Sequence, residues 1–598
     1  MRDSTAAVNL GSMKWFVALL ALVGHQTVCR SETFIRVNQA GYELHEAKVA
    51  IAFSDAELPR KFSVQRGDQV LLEGVTKAIT NATWGKWNHH AEIDFSRVVT
   101  AGTNLTLHVG MNSVAIRIAE HAYAQLPDVL LEFMREQQCG YNPFLHDECH
   151  TNDGRTAYGP LPAGTLIDAS GGWHDAADLL KYLLTSGNAT AQMLVAYDVQ
   201  HKNIKFADHF DARGEAKSNG VPDILDEARW GLEWMLKLHP APDQLYHQIA
   251  DDRDHIGSFR LPNHETANYG WGQGSNRVVY FADGKPQGLL KFQSESTGLA
   301  NLAGRYAAAM GLASIAFKNI DSAFAQKCLK AGLEVYSLGK AHEGVQQGNS
   351  YSQPYRYAET TWADDMEWAA AVLYRVSDLK EFLEDAKRYA KLAANDTWMG
   401  KEQTGHYQYY PFINLVHFAL YEYVDEEFQK MLAGYYREGI EQCIRMSQKN
   451  PYRVGVPFIW CSNNLLASLV TQCLLYERMT GDTRYHEFMC KNRDWLMGRN
   501  PWGTSMFLGI PDNGRYPHDP HLMTTKLTGR SVRGGLVDGP VYERIFKSLK
   551  GVSVPQPDPD APFQSELAVY HDTIHDYSSN EPTMDGTASA ILMWSLCN

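Results

Sequence analysis

Long apolar runs, dense cysteine and basic clusters are what this chain has little of. After position 24 no stretch of the 598 residues approaches the ~20 consecutive apolar residues that span a bilayer, so membrane-spanning segments are not expected. Nine cysteines, at 29, 139, 149, 328, 443, 461, 473, 490 and 597, are too few and too scattered for a disulfide framework. Cys328, Cys443, Cys473 and Cys490 fall in apolar helical runs and are expected as buried thiols. Lys and Arg number 55 against 69 Asp and Glu, a net charge of −14, and no basic run stands out. Nucleic acids and anionic membranes attract basic surfaces and are therefore excluded as main partners. Disorder is excluded by an ordinary balance of 44% hydrophobic and 21% charged residues.

The one short apolar run, residues 13–24 behind Lys14, fits the hydrophobic region of a secretory signal. Asp3 sits awkwardly in what should be a basic region, and Met13 is an alternative start. An N-terminal helix of the mature fold is the rival reading. The expectation is a signal and leader over 1–32 and a soluble, secreted protein, extracellular or periplasmic. Aromatic residues reach 11%, with 14 Trp and 30 Tyr. Their flat faces and polar edges suit sugar rings, although most such residues in a large protein are core.

Residues 33–120 carry short β-rich runs (34–37, 48–53, 61–64, 69–72, 105–109 and 113–118) separated by Gly, Asp and Asn. This spacing predicts a small β-sandwich. From 125 the period changes to 3.6. In 224–236, Leu225, Ala228, Leu232, Met235 and Leu236 form one stripe behind Pro222-Asp223. Further helical runs are expected at 297–317, 322–339, 364–376, 379–394, 413–423, 425–448, 463–478, 482–497 and 584–596. Repeated helical hairpins within 125–598 suggest a closed ring of helix pairs, with a plain bundle or solenoid as alternatives. Loop-rich sequence after 500 is where a site would sit.

Two clusters carry chemistry. In Gly171-Gly172-Trp173-His174-Asp175-Ala176-Ala177-Asp178, two carboxylates three apart at a helix mouth would share one face. The helix dipole would keep them ionised, one as a base on water and the other orienting that water. Helix capping by Asp175 with a solvated Asp178 is the bland alternative. In Tyr570-His571-Asp572-Thr573-Ile574-His575-Asp576-Tyr577-Ser578-Ser579-Asn580-Glu581, a Glu at a loop-to-helix junction under aromatic residues would be desolvated and kept protonated. A helix-start Glu balancing the dipole is its alternative.

On these motifs the chain resembles glycoside hydrolase family 9, the inverting cellulase-like enzymes, along almost all of its mature length. Supporting matches are Phe34-Ile35-Arg36-Val37-Asn38-Gln39-Ala40-Gly41-Tyr42, Gly220-Val221-Pro222-Asp223, Trp460-Cys461-Ser462-Asn463-Asn464 and Asn500-Pro501-Trp502-Gly503. The resemblance implies an N-terminal immunoglobulin-like β-sandwich followed by an all-α (α/α)6 barrel. It implies Asp178 as general base, Asp175 as its helper on the water, Glu581 as general acid and Asp572 as support. His518 would contact sugar at the cleavage site. Trp362, Trp460, Trp502 and Tyr577 are candidate sugar-binding aromatics. Inversion would place the acid and base ~6.5–9.5 Å apart, with a water between base and sugar. The implied substrate is a β-1,4-glucan, mixed-linkage glucan or xyloglucan, hydrolysed by a monomer.

The chain departs from the family pattern at Pro520, where Arg is usual, at Thr587, where Asn is usual, and at Ala177, where Gly is usual. Loss of the bidentate Arg leaves the preferred sugar open. An exo-acting β-glycosidase on short gluco- or glucosamine-oligosaccharides is the alternative enzyme. A non-catalytic glycan-binding protein and a metal hydrolase are weaker readings.

Cys139, Cys149, His150 and His174 make a four-ligand zinc set with no open position, hence structural. Some relatives in the resembled branch carry zinc at such positions. A Cys139–Cys149 disulfide is the rival. The resemblance also implies structural calcium at Thr361-Trp362-Ala363-Asp364-Asp365, where hard oxygen ligands suit the ion, against a helix N-terminal Asp pair. Asn81, Asn104, Asn188 and Asn395 stand in glycosylation sequons.

Overall fold

Period-2 alternation builds the first domain, and one strand shows how it joins the second. In the computed structural model, which describes residues 32–597 except 200–205, 256–258, 275, 289–291, 353–355 and 395–412, nine strands occupy 33–119. The apolar run 13–24, Cys29 and the Asn395 sequon lie outside the described residues. The strands are β1 Thr33–Arg36, β2 Tyr42–Glu43, β3 Val49–Ser54, β4 Lys61–Arg66, β5 Gln69–Val75, β6 Lys77–Ile79, β7 His89–Asp94, β8 Gly102–Val109 and β9 Asn112–Ala119. They form two sheets, in the orders β1-β3-β7-β6 and β2-β9-β8-β4-β5. β3 is buried on both faces. Ala50 and Ala52 face the sandwich core with Val64, Ile93 and Leu107. Ile51 and Phe53 point the other way, into the core of the helical domain.

The helices are α1 Leu126–Glu136, α2 Leu183–Val199, α3 Asp223–Lys237, α4 Ala300–Ala316, α5 Ser322–Ala341, α6 Ala363–Ser377, α7 Lys380–Ala393, α8 Ile413–Tyr421, α9 Glu426–Ser447, α10 Ser462–Thr480, α11 His486–Leu496, α12 Met523–Thr528, α13 Glu543–Phe546 and α14 Met584–Leu596. Each of α2, α4, α6, α8, α10 and α14 touches the next, and α14 returns to α2, closing an inner ring. α1, α3, α5, α7, α9 and α11 pack outside it. Small residues let the inner helices approach. A Cβ added to Gly304 of α4 would lie 2.3 Å from the Asp365 backbone of α6. Outer helices α5, α7 and α9 bury one stripe, as Phe382, Ala386, Tyr389 and Ala393 do in α7, while α11 is buried from Met489 to Leu496. Asn188 lies fully buried in α2, so its sequon cannot carry a glycan.

Short strands cover the end of the ring where the inner helices begin. They are β10 Gly140–Asn142, β11 Asp147–Cys149, β12 Arg155–Thr156, β13 Lys181–Tyr182, β14 Tyr246–Ile249, β15 Val278–Phe281, β16 Leu536–Val537 and β17 Pro582–Thr583. β10 and β11 form a hairpin, and β16 pairs antiparallel with β17. Among the described residues no helix is long and apolar enough to cross a membrane.

Candidate active site

Loops leading into α2, α10 and α14 meet at this end. The spacing predicted that Asp175 and Asp178 would share a helical face, and they do not, because residues 173–180 are not helical. Gly171 and Gly172 have φ of +100° and +74°, and the chain then runs irregularly to β13, with α2 starting only at Leu183. A Cβ at Gly172 would sit 2.6 Å from the Trp234 ring, so this turn admits only glycine. The loop closes on itself through Asp175 N–H to the Leu180 carbonyl (3.0 Å) and Leu180 N–H to Asp178 Oδ1 (3.1 Å).

Asp175 is buried. Thr185 Oγ1 donates to its Oδ1 (2.6 Å) and the Tyr357 hydroxyl to its Oδ2 (2.5 Å). Its backbone carbonyl accepts the Met584 N–H at the start of α14 (2.9 Å). Burial, then the like charges of Asp178 and Asp585, push its carboxyl well above the usual range, against the two hydroxyls. The expectation that the helix dipole keeps this residue ionised is thus corrected by desolvation. Asp178 meets His255 Nε2 at 3.7 Å. His255 is raised to about 9: burial lowers it, but the bond to Asp178 and the charges of Asp178 and Asp254 outweigh burial.

Glu581 arrives from the other side. Its Oε1 accepts the Ala177 N–H at 3.0 Å, which brings residues 404 positions apart into one site beside Asp178. Burial first, then Asp538, Asp178 and Asp175, hold its carboxyl well above the usual range, opposed by the Ala177 N–H.

Asp572 serves the backbone. It accepts the N–H groups of His518 (2.8 and 3.0 Å) and Asp519 (2.9 Å) and the Asn580 amide (3.3 Å), so it fixes the 516–521 loop. His518 is exposed, its ring 4.6 Å from Tyr516. Trp460 and Tyr577 lie together, ring centroids 6.0 Å apart and tilted by 32°, both half-buried beside Glu581. The Tyr577 hydroxyl donates to the Lys550 carbonyl (2.8 Å). Trp362 precedes α6 and meets Tyr389 of α7 edge-on.

Trp502 is a correction. It is fully buried between the two domains, edge-on to Trp84 and Trp495, with its indole N–H on Gln564 (3.0 Å), and has no face left for a sugar.

Asp364 and Asp365 are a second correction. Both are buried, and the place expected for calcium holds a guanidinium: Arg305 Nε lies 2.7 Å from Asp365 Oδ1, and Arg305 also pairs with Glu359.

Cys139, Cys149, His150 and His174 come together, and no disulfide joins the described cysteines. Cys139 Sγ is 3.7 Å from His150 Nδ1, Cys149 Sγ is 3.9 Å from His174 Nε2, and those two nitrogens are 3.2 Å apart. Donors around a tetrahedral zinc-sized ion, bonded at about 2.3 Å to sulfur and 2.0–2.1 Å to nitrogen, stand roughly 3.3–3.8 Å apart. The three separations lie within about 0.1 Å of that range and all four donors within 4.8 Å of one another, so the donor set fits a metal ion. His150 Nε2 faces Glu265 (3.3 Å), which Arg260 also holds (2.9 Å), the outer partner that fixes a ligating imidazole. From Arg260 the network runs through Asp254 to the Leu179 N–H, next to Asp178.

Reading residues alone missed Tyr357, His255, Asp254, His521 and Asp538. The run Asp251-Asp252-Arg253-Asp254-His255, five ionisable residues directly after a buried strand, was the available signal for two of them. His521 is half-buried near Asp178, its ring 6.1 Å from Tyr577 and its Nδ1 on the Ile574 carbonyl.

Residues 123–594 match the profile of Glycosyl hydrolase family 9, and residues 30–113 that of the cellulase N-terminal Ig-like domain. The chain is 24% identical to a xyloglucan-specific endo-beta-1,4-glucanase of Bacteroides ovatus, across 94% of this chain and 92% of that one. It is also 24% identical to endoglucanase D of Acetivibrio thermocellus, over 81% and 74%. A metagenome-derived family 9 endoglucanase superposes with a TM-score of 0.72 at 24% identity, covering 94% of this chain and 98% of that one. A Zn-binding triple mutant of the family 9 endoglucanase J30 gives 0.71 at 20% identity, covering 92% and 99%. Sequence profile, domain order and closed helical ring agree, and the chain belongs to glycosyl hydrolase family 9, an Ig-like domain followed by an (α/α)6-barrel glycoside hydrolase domain.

Proposed function

We propose that this protein is an exported endo-β-1,4-glucanase that cleaves cellulose-like β-glucans or xyloglucan with inversion. The observation that carries the reading is the Ala177 N–H on Glu581, which sets a proton-holding carboxyl against the loop of Asp178. Glu581 gives its proton to the leaving oxygen. Asp178 takes a proton from the attacking water on the opposite ring face. Asp175, each oxygen taken by one hydroxyl, keeps lone-pair capacity for that water. Asp572 positions His518, which faces the sugar, and Trp460, Tyr577 and Trp362 offer ring faces to it. Cys139, Cys149, His150 and His174 would hold a zinc ion; with four protein ligands it would pin the loop ahead of Asp175 rather than take part in bond cleavage. The relatives' substrates and the apolar run 13–24 support the reading.

The test is hydrolysis of β-glucan and xyloglucan followed by NMR of the new anomeric centre and by viscosity. The α-anomer should appear first and viscosity should fall early. Release of the β-anomer first would end the inverting assignment. A slow fall in viscosity with one short product would replace endo by exo action. Glu581→Gln and Asp178→Asn should each lose about 10²–10⁴-fold in kcat.

A further inference from the structure

We infer that Asp538 is the positioning residue that keeps the proton on Glu581, by carrying the negative charge of a carboxyl pair that extends the β16–β17 ladder. The inference rests on Glu581 being the acid of the proposed reaction.

The ladder supplies the geometry. Leu536 pairs with Thr583 and Val537 with Pro582, so the next rung opposes Asp538 and Glu581. The Asp538 N–H donates to the Glu581 carbonyl at 2.8 Å, as that rung requires. Side chains of directly opposed residues leave an antiparallel ladder on the same face. The two carboxyls thus share one face, on which Asp538 is 1% exposed and Glu581 half-buried. Both cannot ionise there, and the pair titrates as a unit.

The surroundings decide which one carries the charge. Asp538 receives the Cys461 thiol at 3.4 Å and the Trp460 indole N–H, two side-chain donors. Glu581 receives the single Ala177 N–H and also faces Asp178 and Asp175. Asp585 of α14 and Asp576 of the acid loop face Asp538 and hold its carboxyl high, after burial. Asp538 is still the largest charge acting on Glu581. The first proton leaves the carboxyl with more donors, and its charge then holds the second proton on Glu581. The same carboxyl fixes the indole of Trp460, so the acid and a ring that faces sugar share one anchor.

The test compares the unaltered protein with Asp538→Asn, which keeps an acceptor for the indole, and Asp538→Gly. The alkaline limb of kcat/KM on β-glucan reports loss of the acid's proton. In both variants it should move down by ~1 pH unit, with KM nearly constant in Asp538→Asn. On 2,4-dinitrophenyl β-cellobioside, whose leaving group needs no proton, the variant should match the unaltered protein at high pH. A limb that stays in place, or equal slowing on both substrates at every pH, overturns the inference. If neither variant folds, infrared difference spectra of the unaltered protein against Glu581→Gln decide. Loss of a protonated carboxyl band at neutral pH supports the inference, and no loss overturns it. An unaltered protein inactive on every β-glucan would remove the proposed reaction instead, a separate result.

Discussion

Two buried polar clusters flank the inner ring, and both looked like metal sites from their residues. Around Arg305, the carboxylates of Glu359 and Asp365 are neutralised by a guanidinium from α4. Cys139, Cys149, His150 and His174 instead bring four donor atoms within 4.8 Å of one another, with three of the separations at 3.2, 3.7 and 3.9 Å, near those of a tetrahedral site. The difference teaches that ligating residues make a metal site only where the chain does not supply its own cation. Buried anions need a counter-charge from somewhere, and an internal Arg removes the demand.

The sharpest way to break this comparison is to remove the internal cation. Arg305→Met leaves Glu359 and Asp365 buried without their cation, Glu359 keeping the Asn301 amide (2.7 Å), and should cost about 3–5 kcal/mol in urea unfolding. Survival at full stability would mean that the guanidinium is not what balances them. Next comes the metal. Protein purified without added metal should contain zinc, Cys149→Ser should lose it, and stripping should lower stability by ~3 kcal/mol at a hundredfold excess of ion over its Kd. Atomic absorption and thermal melts read both.

A third, smaller effect comes from a cation that depends on pH. His255 is raised from 6.5 to about 9 beside Asp178, so its ion pair is complete below about 6.5 and is lost as pH climbs through about 9. The unaltered protein should lose stability across that window and His255→Gln should not, as urea titrations at pH ~6 and ~9.5 would show. The side chain is more than a third exposed, so solvent screens the effect. Last, a calcium-selective chelator should leave the melting temperature unchanged, because Arg305 already fills the place expected for that ion.

What could be read from residues alone follows from how each element is buried. The outer helices α5, α7 and α9 were legible because one stripe is buried, whereas α1, mostly buried from Leu130 to Glu136, was not expected. α2 was not: it is buried all round, and Thr185, Ser186, Gly187, Asn188 and Thr190 leave no 3.6-residue pattern. β7 was equally hidden, since His89-His90-Ala91-Glu92 reads as polar although His90 and Glu92 are buried against the second domain. The catalytic candidates were legible as motifs, yet the three-residue spacing of Asp175 and Asp178 suggested a helix where two glycines impose a turn. Trp502 illustrates the limit of residue type: the same ring that can stack on a sugar can fill a domain boundary. Asp538 lies 43 positions from Glu581, and only ladder register brings them together.

The contact between sandwich and ring has a practical consequence. Arg493 is paired with Glu46, Lys491 with Glu92, and Arg499 donates to the Val49 carbonyl (2.7 Å). In return, Trp84 and Trp87 donate to the Phe563 and Pro562 carbonyls (2.7 and 2.9 Å). Excising the sandwich would take one partner from each of three cations, leaving Arg493 with Asp494, Lys491 with Glu487 and Arg499 with the Tyr452 carbonyl, and would leave the chain that leads to Tyr570 without its clamp. The small domain is therefore no detachable cassette. Grafting a foreign one would have to restore the Glu46 and Glu92 charges and the Val49 carbonyl to keep these contacts.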